Sequence, residues 1–173
     1  MKNSQIRILA FNGVIAALYA VLTFASAFFN LAYGPIQFRI SEALNVLCLF
    51  TPLAIPGLTV GCLISNFFSF NLIDLLIGTS ATLIAAVGMY LLRNVKILKY
   101  PLLSMLCPVI ANGILVGLEI TLFFPDSNAS LTGFIIAAAE VAAGELAVML
   151  TLGTLLYFAI AKNPKAINFN LNR

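Results

Sequence analysis

Apolar residues run along this chain in long stretches, interrupted by short clusters of proline, glycine, asparagine and charge. The interruptions divide it into six segments, which predict helices over about residues 7–29, 39–50, 55–70, 72–92, 100–123 and 132–161. The second segment is too short to cross a membrane alone. As an α-helix it covers about 18 Å at 1.5 Å per residue, against roughly 30 Å of hydrocarbon. The loop before it, 30–38, is therefore expected to fold over or into the bundle as a lid on its outer side.

Composition turns this pattern into a fold class. Hydrophobic residues make up 62% of the 173 and charged ones 9%, and the mean hydropathy is +1.08, far from the roughly 25% charge of soluble domains. The expectation is a single all-α integral membrane domain over 1–173, a six-helix transmembrane bundle with both termini cytoplasmic. The basic start leads into an apolar stretch of about 20 residues, a first span rather than a signal-peptide core. Six spans put Lys2, Arg7, Arg93, Lys96, Lys99, Lys162, Lys165 and Arg173 on the cytoplasmic side, as basic loops require. Arg39 breaks the rule: it falls at the outer mouth of the second helix, with Asp74 and Asp126 on the same side. Tyr90, Tyr100 and Tyr157 fall at inner helix ends, where aromatic anchors belong. Cys48, Cys62 and Cys107 have no metal or disulfide spacing and read as small packing residues.

Small residues recur four apart at Gly13 and Ala17, Ala16 and Ala20, Gly57 and Gly61, and Gly113 and Gly117. That spacing puts both members on one helix face and lets another backbone approach. Each pair serves internal packing or, in the case of Ala16 and Ala20, contact with another protein. The halves of the chain show no similarity, so the sequence does not support an inverted-repeat carrier.

Candidate chemistry lies in the polar residues inside the spans. A charged side chain at membrane depth costs about 2.5–3.5 kcal/mol even on insertion scales, so each needs a partner or a use. Arg39 and Glu42 are three apart and placed to pair across one helix face. One arginine does not balance Glu42, Asp74, Glu119, Glu140 and Glu145 together. Glu119 near an outer helix end and Glu140 about two turns into the last helix both reach an outer cavity and read as ligand contacts. Glu145 lies deeper, about 140° around the helix from Glu140, where it serves a ligand or packs through Asn112. Asp74 opens its helix and is expected to act as a cap there. Thr79 and Asn66 complete the set. The chain has no histidine and no GxxxxGK[ST] loop. A Ser-His protease, a histidine metal site and ATP hydrolysis by that loop are thereby excluded.

The segment GPIQFRISEAL, with NGVIAALYAVLT before it, DLLIGTSATLIAA after the third helix and a final helix bearing two glutamates, resembles the QueT family of queuosine-precursor transporters. These are substrate-binding S components of energy-coupling factor (ECF) importers. The resemblance implies a six-helix bundle that captures its substrate in an outer pocket under the first loop. It implies partners as well: a transmembrane coupling protein and two ATPases, which contact the Ala-x-x-x-Ala face that falls here on Ala16 and Ala20. No cofactor is expected.

A 7-deazaguanine, such as queuine or a pre-queuosine base, presents a ring N–H beside an exocyclic amine, which one carboxylate accepts as a pair. Glu119, Glu140 and Glu145 supply acceptors; Gln37, Arg39, Asn66 or Asn112 supplies a donor to the neighbouring carbonyl. Phe38, Tyr33 or Phe67 offers a flat wall for the ring. Competing expectations are an S component for another vitamin, a stand-alone proton-coupled carrier, and a membrane enzyme using Glu140 and Glu145 as acid and base.

Overall fold

A computed structural model describes residues 2–32, 37–68, 72–97, 100–123 and 129–163. Expectations that rest on Tyr33, Gly34, Pro35, Lys99, Asp126, Lys165 and Arg173 lie outside the described residues. With no water in hydrocarbon to satisfy the backbone, an apolar chain of this kind must close its hydrogen bonds within helices. The described residues accordingly form helices and no strand. In order they are α1 (Lys2–Phe28), a 3-10 helix η1 (Ile40–Leu49), α2 (Ala54–Phe67), α3 (Leu72–Leu92), α4 (Leu102–Phe123), α5 (Leu131–Val148), a π turn η2 (Met149–Gly153) and α6 (Thr154–Lys162).

The last three run on as one helix, Leu131–Lys162, which with α1, α3 and α4 gives four helices long and apolar enough to cross a membrane. Two elements are short. The 14 residues of α2 span about 21 Å, and the ten of η1 about 20 Å at the 3-10 rise. The chain is a membrane protein with two partial helices inside a frame of long ones.

Successive helices pack as neighbours, α1 on α2, α2 on α3, α3 on α4 and α4 on α5, forming an arc among the described residues. The gap in that arc is filled by η1, which touches every other helical segment. Its winding follows from its sequence. Arg39, Glu42, Asn45 and Cys48 recur every third residue, and at three residues per turn such a row stacks along one face. An α-helix would rotate each member about 60° from the last. As a 3-10 helix η1 turns the whole row inward, and Glu42, Asn45 and Cys48 are buried. Hydroxyls of α1 hold its start: Thr23 donates to Ser41 Oγ at 2.7 Å, and the Ile40 amide donates to Ser26 Oγ at 3.1 Å.

The expected pairing of Arg39 with Glu42 does not form. The guanidinium reaches Asp74 Oδ1 on α3 at 3.3 Å, and its Nε donates to the Ala32 carbonyl at 3.3 Å. Stacked along one face, Arg39 and Glu42 point the same way rather than at each other, and both oxygens of Glu42 are met by other donors, Oε1 from α1 and α3 and Oε2 from Asn45 of η1 itself. Asp74 is thus an ion-pair partner, beyond the capping role its position suggests. The pair ties the chain entering η1 to the start of α3.

Of the two roles open to Ala16 and Ala20, the fold shows internal packing. They are 6% and 7% exposed, turned inward on the side where α1 meets α2. A Cβ at Gly61 would lie 2.8 Å from the Ala16 carbonyl oxygen and 2.7 Å from Tyr19 Cβ, so only glycine permits this crossing. The small positions that α1 leaves exposed are Ala10, Gly13, Ala17 and Ala25. Tyr100 and Tyr157 meet edge to face at 5.7 Å, and Arg93 lies 3.9 Å over the Tyr90 ring.

Two stability measurements in detergent test this packing. Gly61→Ala should lose about 1–3 kcal/mol through overpacking, whereas Gly13→Ala, with nothing within 4 Å of the added carbon, should lose nothing. Arg39→Met strands a buried carboxylate and should lose about 3–5 kcal/mol. Adding Asp74→Asn to that variant should restore part of the loss, as read by chemical denaturation.

Candidate functional site

Polar side chains gather at one level of the bundle, where α1 and α2 end and α3 begins, and continue inward along η1. Glu42 is the centre of the first group. Its Oε1 accepts from the Tyr19 hydroxyl of α1 and from Thr82 Oγ1 of α3 at 3.1 Å, and its Oε2 accepts from Asn45 Nδ2. Tyr19, Glu42, Asn45 and Thr82 are all fully buried. Cys62 of α2 extends the group, its Sγ lying 3.2 Å from Thr82 Oγ1 and accepting from Asn66 Nδ2 at 3.4 Å. Asn66 also donates to the Asp74 carbonyl at 3.2 Å. A carboxylate that accepts from three donors has its buried acceptor sites met by the protein. Glu42 therefore ties α1, η1 and α3 together.

The second group lies between α4 and α5. Asn112 Nδ2 donates to Glu145 Oε1 at 3.1 Å, while Glu145 Oε2 is buried and meets no donor. Glu119 stands seven residues beyond Asn112 on the same face of α4, since seven residues make nearly two turns. It is 1% exposed, its Oε2 is buried without a donor, and its carboxylate accepts no hydrogen bond among the described residues. The two groups share one electrostatic field. Arg39 and Asp74 act on Glu119, and Arg39 and Glu42 act on Glu145.

The residues singled out from the sequence divide accordingly. Arg39, Asn66, Asn112, Glu119 and Glu145 are buried; Arg39 and Asn66 both meet Asp74, and Asn112 meets Glu145. Gln37 is buried beside it through its backbone: a Cβ at Gly144 would lie 2.2 Å from the Gln37 carbonyl oxygen, so the residue before Glu145 has to be glycine for the loop to rest on α5. Glu140 stands apart. The inward face of α5 carries Ala137, Val141, Gly144, Glu145 and Val148, and Glu140 is half-buried on its flank. Thr79 is half-buried, Phe38 is half-buried and Phe67 is exposed.

Sequence reasoning passed over Tyr19, Asn45, Cys62 and Thr82. Two of them carried a signal. Asn45 continues the three-residue row from Arg39, and Thr82 continues the four-residue row Asp74, Gly78, Thr82 along one face of α3. Tyr19 and Cys62 carried none, since a lone hydroxyl or thiol in an apolar run has no spacing to mark it.

This centre has more acceptors than donors. Glu119, Glu145 Oε2 and Asn45 Oδ1 are buried acceptors that no protein donor meets. A buried acceptor left unmet costs about 1–3 kcal/mol. The arrangement suits a ligand that brings N–H groups of its own.

Comparison with known proteins bears on the same residues. The family model described as QueT transporter matches residues 9–162. Over 84 residues the chain is 42% identical to the Queuosine precursor transporter QueT of Lactococcus lactis subsp. cremoris (strain MG1363), an alignment covering 49% of this chain and 50% of that protein. The match thus spans about half the length of that relative. No solved structure matches. Because the family match runs unbroken from α1 through η1 to the end of α6, the chain belongs to the QueT transporter family.

Proposed function

We propose that this protein is the substrate-capturing S component of an ECF importer in the bacterial plasma membrane, and that its substrate is a queuosine precursor with a 7-deazaguanine base. The observation that carries the reading is the set of buried acceptors without protein donors at Glu119, Glu145 and Asn45. A deazaguanine brings the complementary set, a ring N–H, an exocyclic amine and a pyrrole N–H, with one carbonyl that takes a donor. The printed name of the Lactococcus relative points to the same substrate class. Substrate contacts fall to Glu119, Glu145 and Asn112 in the bundle, with Gln37, Arg39 and Asn66 around them. Gln37, buried with its backbone against Gly144 of α5, borders the site from the segment before η1.

Energy comes from partners: a transmembrane coupling protein and two ATPases, since the chain carries no phosphate-binding loop of the GxxxxGK[ST] type. Ala16 and Ala20 pack against α2, and contact with the coupling protein at that face of α1 is part of this proposal. Transport then requires a change in which the bound base passes from the covered end to the other side of the membrane.

Titration calorimetry on the purified chain should show a deazaguanine base binding at or below about 1 µM, equivalent to roughly 8 kcal/mol. Cells expressing the chain alone should take up none, and adding the coupling protein and ATPases should restore uptake. Affinity for biotin, riboflavin or thiamin but for no deazaguanine would overturn the substrate. Uptake by the chain alone would overturn the ECF role.

A further inference from the structure

We infer that Glu119 and Glu145 divide the ligand between them, and that Glu145 selects for a protonated amine carried on the far side of the ring from the edge Glu119 holds. The inference rests on the reading of this site as a deazaguanine site and adds a charge requirement to it.

The two carboxylates differ in what they have left to offer. Glu119 is buried, accepts no hydrogen bond among the described residues, and keeps both oxygens for a ligand. Only such a group takes two parallel N–H donors at once, the geometry of the ring N–H and exocyclic amine of the base. Glu145 has given Oε1 to Asn112 Nδ2 at 3.1 Å. With Oε2 alone remaining, it meets a single donor, and a compact ammonium with three N–H groups is the donor that needs no second oxygen of the same carboxylate.

A second acceptor lies close to the same field. Asn45 is fully buried, its amide nitrogen donates to Glu42, and its Oδ1 meets no donor. Glu42 in turn acts electrostatically on Glu145. Glu145 Oε2 and Asn45 Oδ1 are thus buried acceptors left unmet on two elements that pack together, α5 and η1.

Spacing agrees. Asn112, which holds Glu145, and Glu119 lie seven residues apart on one face of α4, about 10 Å along its axis. A bicyclic ring with a hydrogen bond of about 2.8 Å at each end fills that separation.

Charge agrees also. Arg39 is paired with Asp74, and Glu42 is met by three neutral donors, which leaves Glu119 and Glu145 as buried carboxyl groups without an ion-pair partner among the described residues. A neutral base answers the first, and a cationic arm answers the second.

The test compares two probes on the purified chain in detergent: 7-aminomethyl-7-deazaguanine, cationic at neutral pH, and 7-cyano-7-deazaguanine, which is neutral. Wild-type protein should bind the amine at least tenfold more tightly, the ratio that about 1.4 kcal/mol represents. Glu145→Gln keeps the bond from Asn112 and should bring the two affinities within about threefold by weakening the amine alone. Glu119→Gln should weaken both at least tenfold and preserve their ratio, because it alters the end the two probes share. Equal wild-type affinities would overturn the inference and leave the deazaguanine reading intact; that comparison needs no variant. Equal weakening of both probes by Glu145→Gln would mark Glu145 as a packing residue and overturn it too. Binding of neither probe would remove the deazaguanine reading and this inference with it.

Discussion

The structure depends on meeting the buried Glu42 carboxylate with donors from three helices at once. Its carboxylate is held by a hydroxyl from α1, a hydroxyl from α3 and an amide from its own helix, and through Thr82 it is linked to the Cys62 thiol of α2. Helices in lipid gain little from burying apolar surface against one another, because lipid tails serve equally well. Polar contacts of this kind decide which helix lies beside which and at what height. Loss of any one leaves a buried group unmet, so the elements that converge on Glu42 hold their positions together. The ion pair of Arg39 with Asp74 sits at the next level and extends that constraint to the chain entering η1.

Much of the frame was legible in the sequence because apolar length and its interruptions are local quantities. The run Leu72–Leu92 and the break before α4 could be read from residue types alone. Rotation of each helix could not. In a span that is apolar all round, the inward side is set by a few polar or small residues, and several phases satisfy them. Ala16 and Ala20 could face a partner or α2 with equal sense, and only Gly61 on the other helix decides for α2. Glu140 and Glu145 offer the same chemistry on different faces, and the glycine at 144, which admits the Gln37 backbone, places Glu145 at the centre.

The short element was misread for a related reason. Spacing by three between Arg39 and Glu42 brings side chains together on an α-helix, and the pairing follows if an α-helix is assumed. Extending the row to Asn45 and Cys48 shows a strict period of three, which belongs to a tighter helix. Runs of that kind are uncommon because their hydrogen bonds are poorer. Here the poorer backbone geometry is offset by contacts that an α-helix would have rotated away.

The two features are mutually dependent. Were η1 to wind to 3.6 residues per turn, it would shorten by about 5 Å over its ten residues. Successive members of its polar row would leave the centre at different angles. Glu42 would part from Tyr19 and Thr82 just as Arg39 drew away from Asp74. The winding of this one helix therefore sets how many polar atoms meet at the centre, and unwinding it would undo its contacts with α1 and with α3 in a single motion.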